Sequence, residues 1–540
     1  MKLRFPSASA RTRTMIVAGS LLGALVTGGW LLHRGARMGT FTAYEGAQLF
    51  DNVFRHVQNE YVDTVSDSVL YRKSLDGMLY ELRDPYSTFL PPDRFARLNE
   101  TTTGNYAGLG LETDLRDGWL IVVAPVPGGP AERAGLQPGD RIVEIMGKPA
   151  KGWTSEEAFR ALRGKPGTAV TLKIERPGIA IPIVLKLVRT TIHQSAVRRS
   201  SMLTDAVGYI DLKAFSDSTA KELNGAITSL LAHGMKTLMI DLRTNPGGLL
   251  NQGVRVTDLF LNPGQKIVSM RGRLAEANRE YADTAKQRWP QLPLIVLVDG
   301  RSASAAEIVA GALQDHDRAV IIGTPTYGKG SAQSVISFGT QGGLKITTAR
   351  WFTPVGRSIT RRQPGDDDSD DALPAKRERF HTDAGRVVYG GGGITPDVIA
   401  GDSTTPVAEG NFIRALGANT AHFRDAVTDY ALYLKGTGGI TSPDFVVTPA
   451  MREEVWNRMK ARGIEISRST FDEAQPLVSR FIAFDIARYV FGSDAEFRRR
   501  ASMDKALQKA LELARGVRSE NDLLKKATAH ALLADSVEGQ

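Results

Sequence analysis

The spacing of apolar positions changes several times along this chain. From residue 41 to about 100 it is helical, with Phe50, Val53, Phe54, Val57 and Tyr61 falling on one helix face. Ser74 to Leu82 continues the pattern until Asp84-Pro85-Tyr86-Ser87 breaks it, and a short helix is predicted from Pro92 to Asn99. Between 105 and 190 the pattern shifts to short β-rich runs at 120–123, 141–145 and 170–174, divided by Gly/Pro turns. Two helical pieces intervene, around 130–134 and 155–162, the second with Ser155 as N-cap and Glu156 and Glu157 in its first turn. From 200 to 355 strands (207–212, 237–242, 294–298, 319–322) alternate with helices (218–233, 305–314), which predicts an α/β core with a largely parallel sheet. From about 406 the chain reads as mostly helical and charged, with amphipathic pairs such as Asp504/Leu507 and Leu511/Leu513.

One run fits none of these periods. Met15 to Leu32 is 18 residues without a charge, near the minimum for a bilayer-spanning helix. Lys2, Arg4, Arg11 and Arg13 precede it, and Arg34 and Arg37 follow. The positive-inside rule then keeps residues 1–14 in the cytoplasm and sends the rest of the chain outside. A cleaved signal peptide is the rival, but no small-x-small site follows Leu32, which favours an uncleaved anchor at 15–32.

Composition narrows the classes. A length of 540 residues calls for three or four domains. The absence of cysteine excludes disulfides, thiol catalysis and cysteine-based zinc sites. The formal charge of +9 raises nucleic-acid binding, but the basic residues are scattered among acids, so no nucleic-acid partner is expected. The acidic cluster Asp366, Asp367, Asp368, Asp370 and Asp371 reads as part of a solvated, mobile loop over 363–385.

Three runs carry candidate chemistry. Asp299 to Ile308 follows an apolar strand and opens an alanine-rich helix, so Ser304 could be a nucleophile beside the unpaired N–H groups of a helix N-terminus, or a plain N-cap. Gly323 to Gln333 contains Gly328-Lys329-Gly330-Ser331. It fails as a phosphate-binding loop because Gly330 stands where Ser or Thr should follow the lysine. A desolvated lysine near a serine can instead act as general base. Met239 to Leu249 ends a buried strand in Asn245-Pro246-Gly247-Gly248, where glycine lets a backbone N–H approach a substrate; a simple turn is the alternative.

Together these runs resemble the carboxyl-terminal processing peptidases, or tail-specific proteases. The family's Ser-Ala-Ser-Glu-Ile reads Ser304-Ala305-Ala306-Glu307-Ile308 here, its second serine replaced by Ala306, and its Pro-Thr-Phe/Tyr-Gly-Lys-Gly is Pro325 to Gly330. Lys329 lies 25 residues after Ser304, the separation of the family pattern, which selects Ser304 over Ser302. By this resemblance Ser304 is the nucleophile, Lys329 the base and Gln333 its orienting partner, with the oxyanion held by Ala305 N–H and that of Gly247 or Gly248. His316 is the nearest histidine and is expected at a helix end without a catalytic role. Leu75 to Leu90, 347–359 and Gly393 to Val398 also match family segments, so the resemblance spans 44 to about 400 and leaves the last 140 or so residues without a guide.

Residues 105–190 resemble a PDZ domain, with Ala107-Gly108-Leu109-Gly110-Leu111 as its carboxylate-binding loop and first strand and Pro130 to Ile142 as its most specific signature. Arg163 is expected to touch the protease core when this domain docks. The expected fold is a multidomain α/β chain: a helical cap at 41–104, a β-rich PDZ domain with two helices at 105–190, an α/β serine protease core at 191–405 and a helical accessory domain at 406–540. The expected function is a membrane-anchored serine endopeptidase, its catalytic part on the periplasmic face of a bacterial inner membrane. It would need no metal or cofactor and would act on proteins or peptides with free C-termini. A second copy of the chain or an adaptor protein stays open as a further partner. The rival from another class is a non-catalytic, membrane-anchored PDZ scaffold.

Overall fold

The computed structural model describes residues 42–361, 377–401 and 405–538. The proposed anchor at 15–32 and the acidic cluster at 366–371 lie outside them, and no helix among the described residues is long and apolar enough to cross a membrane. The chain divides into two compact units, one ending at Phe89 and one beginning at Leu90. In the first, α1 (Ala43–Glu60) starts from a capping box in which Thr42 Oγ1 accepts from Glu45 N–H and the Glu45 carboxylate accepts from Thr42 N–H. α2 (Asp67–Tyr80) follows, and the Phe54 ring lies 4.3 Å from that of Tyr71. Of the apolar face expected on α1, Phe54 is buried while Phe50, Val53 and Tyr61 stay about half-exposed.

The second unit opens with α3 (Pro92–Thr103), which has proline in its first turn and ends at Gly104 with φ 70°. The β-rich module comes next: β1 (Asn105–Gly108), β2 (Leu111–Arg116), β3 (Trp119–Pro125), α4 (Pro130–Arg133), β4 (Arg141–Ile145), α5 (Ser155–Leu162), β5 (Ala169–Glu175), β6 (Ile183–Val188) and β7 (Thr190–His193). Strands β2-β3-β4-β5-β6 form an antiparallel sheet in that order, and β1 pairs with β7. Leu109, Leu120, Val122, Ala131, Ile142 and Leu172 pack in its core. The N-cap of α5 is Thr154, one residue before the expected Ser155. The reason is the capping-box spacing: Glu157 stands three residues after Thr154 and accepts its N–H at 2.7 Å, whereas Ala158 stands three after Ser155.

The core runs β8 (Val197–Met202), β9 (Val207–Leu212), α6 (Thr219–Ala232), β10 (Thr237–Asp241), α7 (Leu250–Asp258), β11 (Lys266–Gly272), β12 (Arg279–Ala282), β13 (Leu294–Val298), α8 (Ala305–Asp315), β14 (Val320–Gly323), β15 (Ser331–Ser337), β16 (Gly343–Phe352) and β17 (Val398–Ile399). Its main sheet has the order β8-β9-β10-β13-β14-β17, with every pairing from β9 onward parallel and only β8–β9 antiparallel. Strands β9, β10, β13 and β14 are buried at every position, as expected of a parallel sheet covered on both faces. Helices α6, α7 and α8 cover one face through Leu223, Ile227, Val256, Ile308 and Leu313. A second sheet, β15-β16-β11-β12, is antiparallel. The apolar pattern did not predict it, because β15 is polar at most positions and exposed along half its length.

The rest of the chain forms α9 (Val407–Leu416), α10 (Thr420–Thr437), α11 (Pro449–Ala461), α12 (Arg468–Glu473), α13 (Gln475–Ile486), α14 (Ser493–Met503), α15 (Lys505–Ala514) and α16 (Glu520–Glu538). Helices α9 to α13 share a core built on Phe412, Phe423, Val455, Phe471 and Ile482, which also takes in Ile121 of β3. Helices α15 and α16 cover the other face of the main sheet, where Leu507, Ala510, Leu513 and Leu523 meet Met239, Ile295, Leu297 and Ile322. The helical region is thus both a neighbour of the β-rich module and the third layer of the α/β core.

Candidate active site

Three loops leave the carboxyl ends of the adjacent parallel strands β10, β13 and β14, the edge where α/β sheets bind ligands. The β13 loop carries Ser304. Its backbone holds φ 55° and ψ −115°, a conformation that L-residues rarely adopt and that a surrounding structure must impose. The turn is fixed from below by Ser302, which is fully buried, donates its hydroxyl to Leu242 O at 2.7 Å and accepts from Asp299 N–H at 2.9 Å. Ser302 is therefore spent on structure, while Ser304 sits half-buried at the start of α8.

Lys329 lies on the β14 loop, and its main chain is held at both ends. Its N–H donates to Glu307 Oε2 at 2.9 Å, and its carbonyl accepts from the Trp351 indole at 3.1 Å. Glu307 is the residue that sequence reasoning overlooked. It is fully buried in the first turn of α8 and accepts from Ser304 N–H (2.8 Å), Thr326 Oγ1–H (2.6 Å), Gly328 N–H (2.7 Å) and Lys329 N–H (2.9 Å). One carboxylate thereby ties the serine turn to the lysine loop. Burial pushes its pKa up, and the four donated bonds oppose the rise. The signal was present in the motif: an acidic residue inside an otherwise apolar helix start, three residues after the serine. Gln333 lies on β15 and donates through Nε2 to Ser331 Oγ at 2.9 Å and Thr347 Oγ1 at 3.2 Å.

The β10 loop brings its glycines against the serine turn. At Gly247 (φ 91°) an added Cβ would stand 2.8 Å from Ser304 Cβ and 2.9 Å from Ala305 N, so only glycine fits. Gly247 N–H donates to Asn245 Oδ1 at 2.8 Å. Among the described residues, neither Gly248 N–H nor Ala305 N–H has an acceptor. Asn245 ties the loop further, donating to Leu212 O at 2.7 Å and accepting Ala303 N–H at 2.9 Å.

In the β-rich module, Ala107 and Gly108 end β1, Leu109 and Gly110 connect, and Leu111 begins β2. Leu109 is anchored in the module core, while among the described residues neither Leu109 N–H nor Gly110 N–H donates a hydrogen bond. Arg163, at the end of α5, bonds Glu100 on α3 at 3.1 Å and stacks 3.3 Å from the centre of the Tyr106 ring. Its partner is thus α3, not the α/β core that the sequence suggested. His316 caps the end of α8, bonding Asp383 Oδ2 at 2.8 Å and Lys266 O at 2.7 Å. No group of three or more His, Asp or Glu among the described residues is arranged to hold a metal ion.

A strained serine at a strand-to-helix turn is joined through a buried carboxylate to a lysine loop, and the same chain carries a separate β-rich module with two helices. This defines the class of PDZ-bearing α/β serine peptidases. A family model described as peptidase family S41 matches residues 206–367, and one described as PDZ domain matches 121–176. The carboxy-terminal-processing protease of Bartonella bacilliformis is 40% identical over 320 residues, covering 58% of this chain and 73% of that protein. The carboxy-terminal processing protease CtpA of Bacillus subtilis is 34% identical over 349 residues, covering 64% of this chain and 73% of its own. Among solved structures, the photosystem II D1 C-terminal processing protease is 30% identical, with a TM-score of 0.33, covering 60% of this chain and 88% of that one. The chain belongs to the carboxy-terminal processing proteases of peptidase family S41 and is a serine-type peptidase with a PDZ domain.

Proposed function

We propose that the protein captures the C-terminal tails of protein substrates in its PDZ domain and cleaves them through a Ser304–Lys329 dyad. The observation that carries this reading is the strained Ser304 turn, bonded through Glu307 to the backbone of Lys329. In the reaction the unprotonated Lys329 amine accepts the hydroxyl proton as Ser304 Oγ attacks the scissile carbonyl. Ala305 N–H and Gly248 N–H hold the tetrahedral oxyanion. Gly248 is preferred to Gly247, whose N–H is already engaged by Asn245. Collapse expels the amine fragment, which takes the proton from Lys329. A water activated by the same lysine then releases the acyl group. Gln333 orients the lysine amine from β15.

The N–H groups of Leu109 and Gly110, which donate to no acceptor among the described residues, are the donors a terminal carboxylate needs, and the peptide would add as a strand beside β2. The functional division we propose is 41–104, 105–190, 191–405 and 406–540, with residues 15–32 as a membrane anchor that places the catalytic part outside the cytoplasm. The test is cleavage of an unstructured protein with an apolar C-terminus by the wild type, Ser304→Ala and Lys329→Ala. Both variants are expected to lose turnover by at least about 10³-fold with folding intact. Wild-type rates in either variant would refute the dyad. A folded wild type that binds tails without cutting them would favour a PDZ scaffold.

A further inference from the structure

Asp504 lies in the helical C-terminal region, outside both matched segments, yet it reaches the loop that carries Gly247 and Gly248. Its two oxygens do separate work. Oδ1 accepts Leu507 N–H at 3.0 Å and caps α15, while Oδ2 meets Arg243 Nη1 at 2.6 Å. Arg243 stands two residues beyond the end of β10 and starts the glycine loop. The rest of its guanidinium grips Asp241, with Nη2 to Oδ2 at 2.7 Å and Nε to Oδ1 at 3.0 Å.

This fork closes a network around the base of the loop. Asp241 also accepts from Tyr209 O–H at 2.7 Å and from Arg243 N–H at 2.9 Å. The Arg243 carbonyl and Thr244 Oγ1 both accept from Lys213 Nζ, at 3.1 and 2.7 Å. Thr244 itself holds φ 59°, an unfavourable conformation that these bonds must sustain. Burial works against the charge on Arg243, and Asp241 and Asp504 overcome it, leaving the guanidinium more firmly protonated than usual. The guanidinium and both carboxylates are largely shielded, so the pairs are only weakly screened by solvent.

We propose that Asp504 is a positioning residue for peptide hydrolysis: from the N-cap of α15 it fixes Arg243, and through Arg243 the glycine loop that faces Ser304. The helical region then serves the chemistry and not only the packing. The inference rests on the Ser304 reading above. Without Asp504 the Nη1 end of the fork is released, the loop gains freedom, and the Gly248 N–H is no longer held where the oxyanion forms. Small misplacements of this kind cost rate far more than ground-state binding.

Asp504→Asn separates the two roles, because asparagine is as good an N-cap but presents an uncharged amide to Arg243. Asp504→Ser is a second cap-preserving variant. With the full chain and an unstructured protein substrate, we expect either variant to lower kcat about tenfold, with KM within about twofold and an unfolding midpoint near wild type. We expect the loss to shrink to less than about twofold in an Arg243→Gln background, since Asp504 acts through that side chain. A kcat within twofold of wild type in Asp504→Asn would overturn the inference, as would an undiminished loss in the Arg243→Gln background. Ser304→Ala, run beside them, keeps the two readings apart. Wild-type-like turnover in Asp504→Asn with an inactive Ser304→Ala overturns this inference alone, whereas turnover that survives Ser304→Ala overturns the serine assignment and the inference with it.

Discussion

Glu307 has no contact with solvent, and its carboxylate accepts four hydrogen bonds from two different loops. A charged acceptor with that many donors is hard to replace. In Glu307→Gln one oxygen becomes an NH₂ group that faces N–H donors, and at least one buried bond is lost. We expect kcat to fall on the order of 100-fold with KM nearly unchanged, and stability to drop by about 3 kcal/mol. Steady-state kinetics and thermal unfolding of the same preparation check both, and a kcat within threefold of wild type would remove the linking role. Residue identity also separates the two serines of the turn. Spacing against the family pattern selected Ser304, and the physical counterpart is the buried Ser302 hydroxyl, already engaged with Leu242 and Asp299. The choice between Gly247 and Gly248 had no such signal, because adjacent glycines are equivalent until one N–H finds a partner.

Among the elements, α7 begins just after the glycine loop and ends at Asp258, beside Asp283 at the end of β12. Burial pushes the Asp283 carboxyl up to about 6, against the Ala285 N–H bond that pulls it down, and Asp258 adds to the rise. The sign follows from the direction of the shift. A carboxyl raised above its unfolded value contributes stability that is complete below that unfolded value and is lost as pH rises through about 6. Asp283→Asn is neutral at every pH, so its unfolding midpoint should match wild type near pH 4 and exceed it by about 2–4 °C near pH 7.5. A difference that does not change with pH would show that the pair carries no strain. Strand and helix boundaries in the main sheet were legible because buried parallel strands are continuous apolar runs. The β15–β16 hairpin was not, since its register is set by backbone pairing across Gln333↔Thr347 and Val335↔Lys345 and not by an apolar face.

For the molecule as a whole, the main sheet has three layers only because residues 505–530 supply the last one. A chain ended at residue 405 would expose Val207, Tyr209, Met239, Ile295, Leu297, Val320, Ile322 and Val398. Each such side chain is worth about 1.5–3 kcal/mol when buried, so the fragment 42–405 is expected to aggregate or to bind a hydrophobic dye. A soluble fragment with the wild-type unfolding midpoint would show that the helical region is dispensable to the fold. The same region holds the PDZ domain, through Lys435 Nζ on Pro138 O and Arg462 on Asp117 at 2.8 Å.

The sequence alone determined the class of this protein. Its apolar periods separate helical, β-rich and α/β segments, and its motifs hold serine, lysine and glycine at family spacing, because local backbone preference and covalent spacing are written residue by residue. Tertiary structure alone decided what meets what. Glu307 joins the turn of Ser304 to the loop of Lys329, 25 residues further along the chain, Arg163 finds α3 instead of the α/β core, and Asp504 reaches Arg243 from another region of the chain. Such partnerships depend on which strands lie side by side and which loops their ends bring together, and a side chain carries no local record of a partner that folding supplies.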